Sequence, residues 1–292
     1  MIDYFLSLDY LDEFKKNQKE RIQRLGDPNF SRQKVEIGFQ YTDIPIAKHY
    51  ICTRNLIPHF KGYLFTGGLV WNYINETYNS DEEYWLGADT LAWILMCDNQ
   101  ELYKIMYKNC KYFLSAKHNG QVWQRSMWQI ACGDWEGLQE SMKFLDEKVI
   151  KPNAIFHDKD IYLKIYRSFM ERDTALLSEQ LQLLETDKFR KARIRHITEE
   201  KYISIFTTAI AKLAWMHGME VEVDSPYVPK ELLPFEPLEE YTIPYRFLRD
   251  YYRPLGYTWR YDPVHPELQD WANDPENPDR DKKKGFLGRW FG

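Results

Sequence analysis

At 292 residues, 44% of them hydrophobic and 16% aromatic, the chain can bury a sizeable core and is too apolar for a disordered polymer. Its net charge of −5 supplies no basic footprint for nucleic acid and suits a basic protein partner. No apolar run approaches the ~20 residues of a membrane span, and "MIDYFLSLDYLDEFKK" lacks the basic start and small-residue cleavage site of a signal peptide, so the cytoplasm is the expected compartment.

Helical periodicity governs the sequence. Over residues 2–24, Ile2, Phe5, Leu6, Leu8 and Leu11 fall toward one broad face, and Gly26 in "GDPN" closes that helix. A second helical region covers 32–56, with an interruption at Pro45, and a third covers 59–78. Gly67 and Gly68 within the third cost helix stability, about 1 kcal/mol each against Ala. They are expected to permit a close helix approach or a kink. They form no phosphate loop, because the G-x-x-x-x-G-K-[ST] spacing is absent.

The middle of the chain repeats one design in "LAWILMCDNQELYKIMYKNCKYF", "MWQIACGDWEGLQESMKFLD" and "IYRSFMERDTALLSEQLQLLE". An apolar helix ends at a short turn, an aspartate follows, and a second amphipathic helix begins. Asp98, Asp134 and Asp173 mark the turns, 36 and 39 residues apart. Each is expected to accept a hydrogen bond from the free N–H groups of the helix it starts. Tyr84, Ala88, Leu91 and Leu95, and likewise Tyr162, Ile165 and Phe169, share a face on the first helices. Trp135, Leu138, Met142 and Leu145, and Leu177, Leu181 and Leu184, do so on the second helices. Two helices per 36–39 residues is the pattern of stacked helical hairpins, degenerate over about 84–186. The Trp, Gly, Tyr and Pro positions of a tetratricopeptide array are not reproduced.

A long helix is expected over 198–216, with Thr198 as N-cap and Phe206, Ala209, Ile210, Leu213 and Ala214 on its apolar face. Gly218 ends it. In the following "MEVEVDSPYVP", Val221 and Val223 should pack while Glu220, Glu222 and Asp224 face water. Beyond it only a short helix near 243–251 is expected, and "VEV" at 221–223 is the one strand-like run. The fold class is therefore all-α: stacked antiparallel helical hairpins with an irregular C-terminal segment. One helical domain is expected over 1–255 and an extended tail over 256–292, acidic and proline-rich before the basic, aromatic "KKKGFLGRWFG".

Chemistry-bearing patterns are sparse. Cys52, Cys97, Cys110 and Cys132 show no C-x-x-C spacing and read as reduced thiols, with the last three in apolar helical stretches. The seven histidines form no H-E-x-x-H and no i, i+4 pair, so no metal and no cofactor is expected. His157, Asp158 and Asp160 read as a charged helix start. His217, Asp224 and Ser225 carry the residue types of a catalytic triad, yet Asp224 and Ser225 are adjacent and His217 precedes a glycine break. No catalytic residue is assigned. Asp81, Glu82 and Glu83 lie in the first turn of a helix, where carboxylates suit the dipole. They also form an acidic patch, the candidate contact for a basic partner.

The hairpin "SFMERDTALLSEQLQLLE" and the stretch "ISIFTTAIAKLAWMHGMEVEVDSPYVPKELL" resemble the immunity proteins of polymorphic-toxin and type VI secretion systems, most nearly the immunity protein 49 family. The resemblance spans roughly 85–235, and its distinctive part is Gly218 to Leu233. It implies a non-enzymatic antidote that binds a cognate toxin domain in the cytoplasm and occludes its active site. Toxin contacts follow no fixed motif in such proteins, so no residue is carried over. A helical scaffold for another protein partner would need a peptide-sized groove. An all-helical enzyme would need a deep pocket with convergent acids and bases.

Overall fold

The computed structural model describes residues 57–77, 92–109, 119–147, 159–195, 197–243, 246–257 and 259–261. The expectations for 2–56, for the acidic helix start at 81–83, for His157 and Asp158, and for the tail beyond 261 lie outside these residues. The described residues divide between two compact units, one within 43–239 and one from residue 240 onward.

The regular elements described in the first unit are all helices. Its elements are α1 (Ile57–Thr77), a 3-10 helix (Leu95–Cys97), α2 (Gln100–Asn109), α3 (Asn119–Cys132), α4 (Trp135–Glu147), α5 (Lys159–Glu171), α6 (Thr174–Leu184) and α7 (Asp187–Ile194). A 3-10 helix (Thr198–Lys201), α8 (Ile205–Met216) and a 3-10 helix (Lys230–Leu232) complete it. Consecutive helices from α2 to α7 that are described pack on one another, and α8 returns against α3, α6 and the Leu95–Cys97 turn. In the second unit, α9 (Arg246–Tyr252) accompanies a two-residue parallel pair, β1 (Thr242–Ile243) with β2 (Arg260–Tyr261). The all-α expectation holds. "VEV" is extended but joins no ladder.

The hairpin turns explain their own sequence. At the end of α3, Gly133 N–H donates to Ile130 O and Asp134 N–H to Gln129 O, with Gly133 at φ 70°. At the end of α8, Gly218 and Met219 donate to Trp215 and Ala214 in the same way, with Gly218 at φ 72°. This closure needs a left-handed residue, which glycine supplies without a Cβ clash. Asp134 Oδ1 then caps α4 through Gly137 N–H at 2.9 Å, and Asp173 Oδ1 caps α6 through Leu176 N–H at 2.9 Å.

Asp98 departs from this expectation. It takes the left-handed position itself, at φ 57°, while the neighbouring Asn99 Oδ1 caps α2 through Leu102 N–H at 2.7 Å. The register of the first turn is therefore one residue off the aspartate spacing. Freed from capping, the Asp98 carboxylate is fully buried between Lys61 Nζ at 2.6 Å and Lys212 Nζ at 2.7 Å. The two ammonium groups also reach carbonyls of the chain after α8: Lys61 donates to Glu236 O, and Lys212 to Leu232 O and Pro234 O. One carboxylate thus ties α1, α8 and the 232–236 segment together. Burial pushes the Asp98 carboxyl up and the Lys212 ammonium down, each opposed by the charge of the other.

The helix expected over 198–216 is broken in two. Thr198 begins a 3-10 helix, and α8 starts only at Ile205, whose N–H donates to Glu200 Oε1 at 2.9 Å. Every residue from Ile205 to Ala214 is buried, so α8 is enclosed on all sides and has no polar face. Its polar residues Thr207, Thr208 and Lys212 are buried with the rest.

Aromatic residues fill the core. Trp71, Trp93, Trp123 and Trp128 are at most 1% exposed. Trp123 lies 5.1 Å from Tyr162 and 5.6 Å from Tyr166, whose hydroxyl donates to Trp123 O across the α3–α5 contact. Cys97 is a buried thiol pushed up to about 12 by desolvation, and the Cys132 thiol is half-buried. Gly68 does permit a close approach: a Cβ there would stand 2.8 Å from Leu102 Cδ2 on α2. α1 continues through both glycines as one helix.

Two glycines inside helices offer a test. A Cβ on Gly137 would stand within 2.3 Å of Asp134 Oδ2, which holds the Tyr107 hydroxyl at 2.6 Å, whereas a Cβ on Gly62 would meet nothing within 4 Å. Gly137→Ala should lower stability by about 2 kcal/mol by displacing the cap. Gly62→Ala should raise it by up to about 1 kcal/mol. Urea unfolding of both variants checks the pair; equal shifts would contradict the packing at Gly137.

Candidate functional site

Helix α6 is the platform on which the distinctive stretch of the sequence is laid. Its polar residues Ser178, Gln182 and Glu185, spaced by four and three, fall on one side of the helix. The extended chain after α8 passes along that side. Glu222 N–H donates to Ser178 Oγ at 3.2 Å. Asp224 N–H donates to Gln182 Oε1 at 2.8 Å and Asp224 O accepts from Gln182 Nε2 at 3.0 Å. Ser225 Oγ donates to Glu185 Oε2 at 2.7 Å. The side chains alternate as expected: Val221 and Val223 are 1% and 2% exposed, while Glu220, Glu222 and Asp224 face solvent.

Below this strap lies a cluster of four buried charges. Glu185 accepts from Ser204 Oγ at 2.5 Å, Thr207 Oγ1 at 2.6 Å, Arg193 Nη2 at 3.1 Å and Arg190 Nη1 at 3.3 Å. Arg193 Nε donates to Glu200 Oε2 at 3.0 Å, and Arg190 Nη2 donates to Glu200 O at 2.7 Å. The Arg190 guanidinium lies 3.5 Å from the centre of the Tyr227 ring. The four side chains are between 0% and 7% exposed. Burial pushes the Glu200 carboxyl up, opposed by Arg193, while the neighbouring carboxylates raise the Arg193 guanidinium above its usual value against the cost of burial. Two carboxylates and two guanidinium groups balance, which a dry interior requires.

His217, Asp224 and Ser225 are not assembled into a relay. The His217 ring bonds through Nε2 to Ile130 O at 2.7 Å and lies edge-on to Trp135, with ring centres 5.0 Å apart. Ser225 is committed to Glu185, and Asp224 is held by its backbone with its side chain in water. The structural reading of "MHGMEVEVDSPYVP" as a closing turn accounts for each of them. Among the described residues, no group of three or more His, Cys, Asp or Glu is placed to hold a metal ion, and no helix is long and apolar enough to cross a membrane. Asp81, Glu82 and Glu83, the candidate partner contacts, lie outside the described residues.

Sequence reasoning did not find the charge cluster. Glu185, Arg190, Arg193 and Glu200 occupy a stretch whose charge density reads as a solvated helix. The one available signal was "SPY" after the valines, a turn that must bring polar residues back onto the helix it has just passed.

At its surface, α6 borders a shallow depression of about 310 Å³ lined by Glu179, Gln182, Leu183, Glu185 and Thr186. Leu183 is 38% exposed, one of three large apolar side chains so open among the described residues.

Residues 158–232 match the family model of immunity protein 49. The match bears out the resemblance read from the sequence, and it encloses α5 to α8, the strap and the whole charge cluster. No curated protein and no solved structure matches the chain.

Removing Glu185 leaves two buried guanidinium groups facing one carboxylate, so Glu185→Ala should cost roughly 3–5 kcal/mol. Ser225→Ala, which removes one of several donors to it, should cost about 1 kcal/mol. Comparable losses in chemical denaturation would show that the cluster does not act as a unit. His217 supplies a pH test. Burial holds its imidazole below the ordinary range, with the Arg172 charge adding to this and the bond to Ile130 opposing it. The folded state therefore disfavours the proton that the unfolded chain accepts near ~6.5. The contribution is complete above that value and is lost as pH falls through it toward the lower folded pKa. The urea midpoint should drop between about pH 7.5 and 5.5, and drop less in His217→Gln.

Proposed function

We propose, from the family match over α5 to α8, that this protein is the immunity partner of an antibacterial toxin. It binds the toxin domain in the cytoplasm of the producing cell and covers its active site or substrate entry, with no catalysis of its own. The setting is competition between bacteria armed with polymorphic or type VI-secreted toxins. The match is the observation that carries this reading.

The architecture supports it physically. An occluding inhibitor needs about 1,600 Å² of interface on a surface that keeps its shape, because ordering loops on binding consumes affinity. Here the extended 218–228 segment is not a free loop: α6 side chains grip its backbone at Glu222 and Asp224, and valines at 221, 223 and 228 anchor it from below. Asp81, Glu82 and Glu83 remain a proposed contact for a basic toxin surface, resting on their sequence alone.

Expressing the toxin domain encoded beside this protein should arrest growth, and co-expressing this chain should restore it through a stoichiometric complex. Growth arrest that persists, with no complex in size-exclusion chromatography, rejects the proposal.

A further inference from the structure

Helix α6 and the strap beside it carry charge of one sign. Residues 174–184 and 218–225 contain Glu179, Glu220, Glu222 and Asp224 and not one lysine or arginine. All four carboxylates are exposed, and none forms an ion pair among the described residues. In the same unit, two exposed acids do meet a cation at i±4: Glu147 with Lys143 at 3.9 Å, and Asp187 with Lys191 at 2.9 Å. Glu179, the acid on α6, has no such neighbour, because its i±4 positions are Ala175 and Leu183.

The same face holds an apolar depression. The 310 Å³ hollow is mainly apolar and is lined by Glu179, Gln182, Leu183, Glu185 and Thr186. Leu183 does not share the burial of Leu177, Leu181 and Leu184 and stands 38% exposed in the hollow. The acids and the hollow are joined rigidly: Gln182 lines the hollow and also clasps the Asp224 backbone by both polar atoms of its amide. An apolar centre with a charged rim is the arrangement by which protein interfaces combine affinity with orientation.

We infer that the α6–strap face, with Leu183 at its centre and Glu179, Glu222 and Asp224 at its rim, is the surface that docks the partner toxin domain. The partner surface it fits is basic, with one apolar side chain presented to the hollow. This inference rests on the proposed function and adds the face and the chemistry of its occupant. It requires a toxin whose lysines or arginines surround the site being covered, since four unneutralised carboxylates would repel an acidic one.

The test measures binding of the full-length chain to the adjacent-gene toxin domain, inactivated by mutation, using titration calorimetry. The triple variant Glu179→Lys, Glu222→Lys, Asp224→Lys should weaken binding by at least about tenfold and flatten its dependence on salt. Leu183→Ala should weaken it by about tenfold at unchanged salt dependence. Reversal of exposed acids on α4, Glu136→Lys with Glu140→Lys, should leave it within about twofold. Among the described residues the altered rim side chains make no hydrogen bond or ion pair, and an unchanged melting curve verifies that the triple variant is folded. Binding by a folded triple variant within about twofold of the parent overturns the docking face and leaves the immunity function standing. A parent chain that neither binds nor protects overturns both.

Discussion

The carboxylate of Glu185 is the constraint around which the matched region is arranged. It sits at the end of α6 and receives donors from α7, from the start of α8 and from the turn at Ser225. Those segments are far apart in sequence and share no other group at which all of them meet. Little net stability comes from such a cluster, because taking four charges out of water costs about as much as their attraction returns. Its effect is on geometry. A carboxylate has a limited number of acceptor positions, and Arg190, Arg193, Ser204, Thr207 and Ser225 must all reach it together. Any sliding of α7 or α8 along α6 leaves a buried charge unmet, so the register of three helices is set by one residue. The break before α8 follows from the same cluster. Glu200 turns inward to Arg193 and to the first amide of α8, which a continuous helix over 198–216 would not allow.

Where the fold was legible in the sequence, a local rule acted alone. Asp134 and Asp173 cap their helices because capping involves only the next three residues. Gly133 and Gly218 close theirs because a left-handed residue is needed whatever the surroundings. The alternation of Val221 and Val223 against Glu220, Glu222 and Asp224 predicted the buried side of the strap, since a side-chain period of two fixes it. The third hairpin turn shows the limit. Arg172 holds φ 55° where the second turn uses Gly133, at a cost of about 1 kcal/mol. Its guanidinium reaches back to His217 O at 3.0 Å. Pattern alone gave no reason for an arginine there.

Asp98 shows how tertiary context overrides a local rule. The spacing of 36 and 39 residues to Asp134 and Asp173 made it the third member of a series. It is drawn instead to two lysines that lie 37 residues before it and 114 after it. Nothing near Asp98 in the sequence announces either lysine. Lys61 sits in an apolar helix and Lys212 in "AIAKLAW", where a single lysine reads as the solvent edge of an apolar face. The positive charge in excess of the single carboxylate is met by three backbone carbonyls after α8, which is why that irregular segment is ordered.

The two buried polar systems act on different parts of the same chain segment. The Glu185 cluster fixes Ser225 and, through Ser204 N–H to Tyr227 O at 2.7 Å, the turn that follows. The Asp98 clamp fixes residues 232–236. Between α8 and residue 236 the backbone is therefore held near its middle, by Gln182 and the Glu185 cluster, and at its far end by the Asp98 clamp, with one short 3-10 helix as its regular structure. A surface built this way can present charge at defined positions while remaining free of the side-chain spacing that a helix or sheet imposes. Its sequence can vary at Glu220, Glu222 and Asp224 without disturbing the groups that hold it. Separating holding residues from presenting residues lets the face change its partner while the fold beneath it stays the same.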